Sequence, residues 1–396
     1  MRCIQDYHFK DKKALIRVDF NVPLDDSFGI TDSIRIDKTI PTILKVLKDG
    51  GSAILISHLG RPKKGYTDSL SLKHLIPYLS DQINTQVNFA SDCIGMEATV
   101  KAQNLKSGEV LLLENLRFHE AEEKGDPVFA QQLAALGDIY INDAFGAVHR
   151  EHASTYQITH YLKDSLAGYL LQEEIKNANK ILKNIHRPFT AIIGGTKIGD
   201  KLQAMEVLLG KLDNLLIGGG VANTFQQALG GKVGNSITEP EQHGVALDIL
   251  YQAIEKGINL VLPTDVVIAD HWSDHARIDN VLSDAVPENW MALDIGPYTQ
   301  ELFQDIIQKS KTILWTGPIG AFELPAFSQG TQAIIKAVAT ATQKGAFSLV
   351  GGGDSATAVA QFGYTNQVSY VSTGGGALLA YLANPNLPVI RALYGK

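Results

Sequence analysis

Residues 187–201 read RPFTAIIGGTKIGDK, and this stretch contains the unit from which the fold is predicted. The apolar run at 190–193 predicts a strand, and the glycine pair after it predicts a tight turn into a helix over 201–209. Apolar strands without alternation are typical of parallel sheets covered by helices on both faces. The stretch therefore indicates an α/β protein.

The same strand, turn and helix pattern recurs along the chain. Further strands are predicted at 14–18, 53–56, 110–113, 139–141, 214–217, 259–262, 312–315, 347–350 and 367–371. Shorter helices are predicted at 71–82, 126–135 and 330–342. Residues 166–185 have apolar side chains at a helical period, and Pro188 disfavours helix beyond them. We predict two doubly wound, Rossmann-like parallel-sheet domains joined by this long helix, with a boundary near Arg187.

Glycine and arginine are distributed unequally between the two predicted domains. Of the 36 glycines, 11 lie in residues 1–188 and 25 in residues 189–396, whereas seven of the nine arginines lie in the first part. The net charge of −7 argues against a nucleic-acid binder that relies on bulk positive charge. Two cysteines are too few for a disulfide framework, and no signal peptide or membrane span is evident. We therefore expect a cytoplasmic protein with no membrane or nucleic-acid partner.

The predicted strands of the first part are followed by charged segments. Ligands of open α/β sheets bind beyond the carboxyl ends of the strands. Three of these ends contribute Arg61, Arg117 and Arg150, and Arg35 follows in the loop after the first strand. Guanidinium groups bind carboxylates and phosphates in a planar, bidentate manner, so we predict a site for a small polyanion. The nearby histidines could be structural or catalytic; these are His119, His149 and His152.

The predicted strands of the second part end in glycines instead. Five such turns begin at residues 194, 218, 317, 351 and 374. Glycine lets the backbone approach a ligand closely, and N–H groups at the start of a helix bind anions. Lys197 and Lys201 are four residues apart, a spacing that would place both on one face of the first helix. This part is predicted to hold a phosphate-bearing ligand.

Common nucleotide-binding patterns are missing from the sequence. GxxxxGK[ST] does not occur, and GxGxxG fails after Gly218 because Asn223 occupies the third glycine position. His149-Arg150-Glu151 is not the HRD of a protein kinase. An NAD-dependent dehydrogenase and a non-catalytic nucleotide-binding regulator are kept as alternative hypotheses.

Longer motifs in these segments resemble the phosphoglycerate kinase family from end to end. The matching motifs are RVDFNVP (17–23), SHLGRP (57–62), LLENLRFH (112–119), NDAFGAVHREHAST (142–155), RPFTAIIGGTKIGDK (187–201), GGGVANTF (218–225), LPTDVV (262–267), ALDIGP (292–297), WTGPIGAFE (315–323), GGGDSATA (351–358) and STGGGA (372–377). The resemblance implies reversible, Mg²⁺-dependent phosphoryl transfer between ATP and the carboxylate of 3-phosphoglycerate by a monomer with a deep cleft and a hinge. It divides the chain into a substrate domain (1–168), an interdomain helix (169–187), a nucleotide domain (188–376) and a C-terminal segment that packs back on the first domain (377–396).

The resemblance also assigns residues to the two ligands. For 3-phosphoglycerate it implies Asp19, Phe20, Asn21, Arg35, His58, Leu59, Gly60, Arg61, Arg117 and Arg150. For ATP or ADP it implies Lys197, Lys201, Gly218, Gly219, Gly320, Glu323, Gly352, Gly353, Asp354 and Ser355. Within this set Glu323 is expected to hold the ribose, Asp354 to bind Mg²⁺, and the Gly234 loop to border the adenine. Arg35, Lys197 and Gly353 are the expected catalytic groups.

The chain departs from the family pattern at several positions. Thr316 stands where asparagine is usual, Asp37 where a second arginine is common, and Ala147-Val148 where Thr-Ala is usual. Leu378-Leu379-Ala380 follows the last glycine motif where Ser-Leu-Glu is common. None of these changes removes an arginine or lysine assigned above; they concern details of the nucleotide side and the coupling of the C-terminal segment to closure.

Overall fold

The structure is a computed structural model that describes residues 2–63 and 65–394; at 200, 202 and 203 only the backbone is described. The chain divides into two compact units, Met1–Lys176 with Pro385–Lys396, and Asn177–Asn384. Each unit is built on one six-stranded sheet. In the part of the chain that is described, no helix is both long and apolar enough to cross a membrane.

The first unit is a parallel sheet with helices in its connections. Its strands are β1 (Lys13–Val18), β2 (Ser52–Ile56), β3 (Val87–Ala90), β4 (Val110–Leu113), β5 (Ile139–Asp143) and β6 (Ser165–Ala167). Its helices are α1 (Ile34–Lys48), α2 (Ile76–Ile83), α3 (Gly95–Asn104), α4 (Glu120–Glu123), α5 (Pro127–Ala134) and α6 (Tyr169–Lys183), which continues into the second unit. The strand order is β3-β4-β2-β1-β5-β6, and every pairing is parallel.

The second unit has a parallel sheet of the same size and a smaller antiparallel one. Its strands are β7 (Phe189–Ile193), β8 (Asn214–Ile217), β9 (Lys232–Val233), β10 (Asn259–Val261), β11 (Asp265–Ala269), β12 (Ile278–Leu282), β13 (Ala285–Val286), β14 (Met291–Ile295), β15 (Thr312–Thr316), β16 (Phe347–Gly351) and β17 (Tyr370–Val371). Its helices are α7 (Leu202–Leu209), α8 (Gly219–Ala228), α9 (His243–Glu255), α10 (Pro297–Lys309), α11 (Gln329–Gln343), α12 (Gly353–Gln361) and α13 (Gly375–Ala383). The last helix, α14 (Pro388–Ala392), belongs to the first unit.

The order of the large sheet in the second unit is β10-β8-β7-β15-β16-β17. The chain starts at β7, moves outward through β8 to β10, and then restarts on the other side at β15. The switch point therefore lies between β7 and β15, where doubly wound sheets bind ligands. In the first unit the corresponding reversal lies between β1 and β5, because β2 to β4 lie on one side of β1 and β5 and β6 on the other.

Burial of the strands explains why their sequences do not alternate. All residues of β2, β4, β5, β7 and β15 are buried, so each strand is covered on both faces. Ile16 and Ile141 lie in the core of the first unit, and Ile192 and Trp315 in that of the second; all four are fully buried. The predicted α/β class with two parallel sheets is confirmed.

Two predicted helices are shorter than expected. Residues 71–82 divide into a 3-10 turn, Leu72–Leu75, and α2, because Pro77 in the first turn of α2 has no N–H to continue an α-helical ladder. The long helix predicted at 166–185 was wrong at both ends. Residues 165–167 form β6, which pairs with β5, and beyond α6 both backbone groups of His186 bond to the Thr312 hydroxyl.

Other elements gave no clear sequence pattern. The three-stranded sheet β12-β11-β14 is antiparallel and was not predicted, because most β12 side chains are exposed and the strand has no apolar run. The short strands β3 and β6 were missed as well. The strand predicted at 367–371 is reduced to β17, since Thr365–Gln367 forms a 3-10 turn.

Candidate active site

The first unit concentrates basic side chains at the carboxyl ends of its central strands. Asp19, Phe20 and Asn21 follow β1, and residues 58–61 follow β2. Arg35 lies in the first turn of α1, while Arg117 lies in a 3-10 turn, Leu116–Phe118, after β4. Arg150 follows β5 by a few residues. These predicted positions therefore share one edge of one sheet.

Hydrogen bonds tie these segments to one another. Arg35 Nη1 lies 3.2 Å from Asp19 Oδ2 and donates to the Asn21 carbonyl at 3.2 Å. Asn21 Oδ1 accepts from the Gly60 N–H at 2.8 Å. Arg117 Nη1 donates to the Gly60 carbonyl at 2.8 Å. The loops after β1, β2 and β4 are thus fixed before any ligand arrives, which keeps the cost of ordering them on binding low.

The other predicted residues of this edge have different surroundings. Phe20 is fully buried and its N–H donates to Ser57 Oγ at 2.9 Å. The Leu59 carbonyl accepts from Asn115 Nδ2 at 2.7 Å. Arg61 is exposed, and Arg150 Nε lies 3.2 Å from His149 Nε2. The backbone at 59–60 is therefore structural, while the Arg61 side chain extends to the surface.

Arg17 is a central member of the cluster that the sequence reasoning did not assign. It lies on β1, is almost fully buried, and its Nη2 lies 3.2 Å from His58 Nδ1. Its Nε donates to Ser154 Oγ at 2.8 Å, and that hydroxyl donates to the buried Glu122 carboxylate at 2.6 Å. Arg17 belonged to the RVDFNVP motif, but its position within a predicted strand gave no reason to single it out.

The charges of the cluster determine the state of His58. Burial lowers its pKa well below the usual value, and the nearby Arg17, Arg117, Arg150 and Arg35 lower it further. Because the Arg17 donor faces Nδ1, the proton of the neutral ring lies on Nε2. His58 can therefore donate one hydrogen bond to an anion without carrying a charge.

Two further histidines of this region, His149 and His152, are neutral for similar reasons. Burial is the largest cause of the lowered pKa of both His149 and His152, and for His152 the pKa falls to about 4, with Arg117 and Arg17 as further causes. His119 Nε2 instead lies 2.7 Å from Asp92 Oδ1, and the hydrogen bonds of the arginines described above do not involve it. Asp37 accepts from Tyr78 Oη at 2.6 Å and from Ser33 Oγ at 2.7 Å. It therefore anchors the start of α1.

In the second unit the five glycine turns all lie at the carboxyl edge of the large sheet, as predicted. The turns after β7 and β15 are in direct contact, with the Gly194 N–H donating to the Thr316 carbonyl at 2.9 Å. A Cβ on Gly194 would lie 2.1 Å from the Pro318 carbonyl oxygen. Only glycine permits this approach at the switch point.

A cavity in the second unit opens onto these turns. Its wall includes several predicted nucleotide-binding residues: Gly219, Gly320, Glu323 and Asp354. Its apolar lining includes Ile237, Val266, Trp272, Met291 and Leu293. An apolar slot beside backbone N–H groups suits a base and its phosphates. Gly218 is the N-cap of α8, at the carboxyl end of β8. The loop that contains Gly234 was expected to border the adenine, and its residue Ile237 lines the cavity.

The two lysines do not share a helical face, so that prediction was wrong. A 3-10 turn begins at Gly199 and α7 at Leu202, which leaves the exposed Lys197 in the preceding turn. Lys201 Nζ donates to the Lys197 carbonyl at 2.8 Å instead. The Glu239 carboxylate, which the sequence did not suggest, accepts from the Ile198 N–H and holds this turn.

The turn after β16 combines buried and exposed groups. Gly352 is the N-cap of α12 with φ of +104°, and Gly353 and Asp354 are exposed in the first turn. Ser355 is buried and its Oγ accepts from the Gly317 N–H at 2.7 Å, so its hydroxyl joins two turns. A Cβ on Gly375 would lie 2.6 Å from Gly352 Cα, which shows that the last glycine motif supports this turn from behind.

A buried carboxyl that the sequence reasoning missed underlies the cavity. Asp294 accepts from the Gly330 and Ile295 N–H groups at 2.7 and 2.9 Å, and burial raises its pKa to about 7. A Cβ on Gly320 would lie 2.1 Å from Asp294 Oδ1. The ALDIGP motif therefore supports the glycine turn at 317–320.

A guanidinium cluster on one doubly wound sheet and glycine turns with a cavity on another define a two-unit α/β phosphotransferase. The family model described as phosphoglycerate kinase matches residues 4–384, so the chain belongs to the phosphoglycerate kinase family. Its activity is the phosphoglycerate kinase reaction, and it is a transferase that acts in glycolysis.

Individual relatives agree with this family. The phosphoglycerate kinase of Porphyromonas gingivalis is 47% identical over 418 aligned positions, covering 99% of this chain and 100% of its own. That of Chlorobium phaeobacteroides is 47% identical over 392 positions and covers 99% of both chains. The structure of the Coxiella burnetii enzyme superposes with a TM-score of 0.85 at 38% identity, over 99% of each chain. The Pyrococcus horikoshii structure gives 0.88 at 29% identity, over 100% of this chain and 98% of its own.

Proposed function

We propose that the described residues carry out reversible, Mg²⁺-dependent phosphoryl transfer between ATP and the carboxylate of 3-phosphoglycerate. The observation that carries this proposal is the neutral His58 surrounded by four guanidinium groups at the carboxyl edge of the first sheet. Such a concentration of positive charge around an uncharged donor suits a small ligand with both a phosphate and a carboxylate.

On the substrate side, each group has a proposed task. Arg61, Arg117 and Arg150, with the Nε2 proton of His58, bind the phosphate that is not transferred. Asp19 and Asn21 orient the hydroxyl and carboxylate end, since both already bond to neighbouring loops. Arg35 points to the same end through its contact with Asp19. The ligand would thereby be held in one orientation with its carboxylate free to react.

On the nucleotide side, the proposed contacts follow the cavity. The apolar slot takes the adenine, Glu323 accepts hydrogen bonds from the ribose hydroxyls, and the N–H groups at the starts of α8 and α12 bind phosphates. Lys197 and Lys201 contribute charge from the turn after β7. Ser355 takes part indirectly, because its hydroxyl accepts from the Gly317 N–H and so holds the turn after β15 beside the phosphate-binding turn.

Asp354 is the proposed ligand for Mg²⁺. Its carboxylate is exposed in the wall of the cavity, beside the phosphate-binding turn at 352–353, and hard oxygen ligands are those that Mg²⁺ prefers. The donor chemistry at this position therefore fits the ion. When bound together with the nucleotide, Mg²⁺ would neutralise phosphate charge.

The chemical step requires no general base. A carboxyl group has a pKa of about 4, so the acceptor oxygen is already ionised at neutral pH. Catalysis then rests on positioning and on stabilising the charge that spreads over the equatorial oxygens of the transferring group. We assign that stabilisation to Arg35, Lys197 and the N–H of Gly353. A cytoplasmic location stays a prediction from the sequence, and a monomeric state stays a prediction of the family resemblance.

A trapping assay tests the reaction class. The chain is incubated with ATP, Mg²⁺ and 3-phosphoglycerate, and the acyl phosphate is captured with hydroxylamine. We expect hydroxamate to form in this mixture. None should form when EDTA is added, or when 3-phosphoglycerate is replaced by glycerol 3-phosphate, which lacks the acceptor carboxylate. ATP binding without hydroxamate would instead support a non-catalytic regulator, and hydride transfer to NAD would support a dehydrogenase.

A further inference from the structure

The loop after β3 and the turn after β4 bring three metal-ligating side chains together. Asp92 and Cys93 follow β3, and His119 follows the 3-10 turn after β4. One ligand atom from each residue lies within 4.8 Å of the other two. Because β3 and β4 are paired neighbours in the sheet, the fold fixes this proximity.

The three side chains differ in burial in a way that suits an ion. Cys93 is fully buried, while Asp92 and His119 are partly exposed, so the cluster opens to solvent on one side. His119 Nε2 already faces Asp92 Oδ1 at 2.7 Å, and the imidazole packs on the Phe129 ring with centroids 5.3 Å apart. An ion bound by both partly exposed side chains would replace the hydrogen bond between them.

The Asp92 carboxylate lies between the other two ligand residues. Its Oδ1 accepts from the Cys93 N–H at 2.6 Å and faces His119 Nε2 at 2.7 Å. A bound metal ion would displace the thiol proton to solvent.

We propose that Asp92, Cys93 and His119 form a binding site for a thiophilic divalent cation of the Zn²⁺ class. Thiolate and imidazole ligands select Zn²⁺ over Mg²⁺, so this site is chemically separate from the one at Asp354. Three protein ligands leave a fourth position for water at the exposed face. The ion would link the loop after β3 to the turn that carries Arg117.

Co²⁺ is the probe, because a cobalt ion bound to thiolate has a charge-transfer absorption. EDTA-treated full-length protein is titrated with Co²⁺ at neutral pH. We expect a saturable charge-transfer band with one equivalent of Co²⁺, removed by Zn²⁺ and not by excess Mg²⁺. Cys3→Ser, which changes the other cysteine, is the matched control and should keep the band.

The ligand variants decide the assignment. Cys93→Ser should lose the band, and Asp92→Asn and His119→Gln should each weaken cobalt binding by at least about tenfold. Because Cys93 is buried, the two exposed variants test the site even if the serine variant fails to fold. Zn²⁺ should also raise the melting temperature of the wild type and not that of His119→Gln. No band at millimolar Co²⁺, a band lost in Cys3→Ser, or unchanged affinity in both exposed variants would overturn the proposal.

Discussion

At the residue scale, the arginines of the basic cluster have different roles. Arg17 is buried against His58 and bonds to Ser154, so its charge is fixed within the protein. Arg35 is partly exposed and contacts Asp19 at 3.2 Å, which leaves part of its guanidinium group available to a ligand. Burial lowers the pKa of His58 and the charge of Arg17 lowers it further, whereas the partly exposed Arg35 is available to contact substrate.

Replacing the two proposed transition-state cations should affect turnover more than binding. Arg35→Ala and Lys197→Ala each remove a donor to the transferring group, and loss of one such donor costs about 10²–10³ in rate. We expect a fall in kcat of that size with a smaller change in KM, measured by steady-state kinetics. The exposed Arg2→Ala and Lys309→Ala are controls that should leave kcat unchanged. A wild-type kcat in either test variant would contradict the assignment.

At the element scale, the carboxyl-terminal glycine turn acts as a support for the phosphate turn. A Cβ at Gly375 would meet Gly352 Cα at 2.6 Å, whereas a Cβ at Gly376 has no neighbour within 4 Å. Overlap of this kind costs about 1–3 kcal/mol when the backbone must shift. Gly375→Ala should therefore raise the KM for ATP by about tenfold, since 1.4 kcal/mol corresponds to that factor.

Gly376→Ala is the matched control, one residue further along the same helix. It should keep the wild-type KM for ATP, because its added methyl group faces open space. Calorimetric titration with ADP gives the same comparison without turnover. Equal affinities for the two variants would show that the support has no role in nucleotide binding.

Asp143, the last residue of β5, contacts α6, and its protonation should make the free energy of unfolding depend on pH. Asp143 Oδ1 accepts from the Leu171 N–H at 3.0 Å, Oδ2 has no hydrogen-bond partner, and burial raises the pKa to about 7. The folded state therefore keeps a proton that the unfolded state releases above about pH 4. This group lowers the free energy of unfolding as the pH rises from about 4 to 7.

Asp143→Asn should remove this contribution while keeping an oxygen for the Leu171 N–H. Urea denaturation at pH 5 and at pH 8 measures this contribution. Between these pH values, the free energy of unfolding should fall further for the wild type than for the variant. The difference should be a few kcal/mol, since one pKa unit corresponds to about 1.4 kcal/mol. Asp26→Asn, at an exposed carboxyl, is the control and should behave as the wild type. An identical pH dependence in Asp143→Asn would show that Asp143 is ionised throughout.

The same elements show how much the sequence could predict. Buried parallel strands such as β4 and β8 were placed to the residue, because an apolar run bounded by glycine or charge leaves little freedom. The strand β12 could not be predicted, since backbone pairing with β11 holds it in place and most of its own side chains are exposed. Arg17 and Glu239 were missed for a related reason: their roles arise from contacts with residues far along the chain.

At the scale of the whole molecule, the division of the chain falls inside α6. The helix starts in the first unit and ends in the second, with the division between Lys176 and Asn177. The final helix α14 returns the chain to the first unit. The chain therefore passes between the units twice, in α6 and before α14, and the predicted hinge would lie in these two segments.

Phosphoryl transfer should require the units to close around both ligands. The proposed acid site and the proposed nucleotide site belong to different units, and water would compete for the phosphoryl group unless it is excluded during the reaction. We therefore expect small-angle X-ray scattering to show a smaller radius of gyration with 3-phosphoglycerate and a non-hydrolysable ATP analogue together than with either alone. The single-ligand samples are the control, because each fills one site without linking the units. An unchanged radius of gyration with both ligands bound at saturation would argue against closure and would leave exclusion of water to local loops.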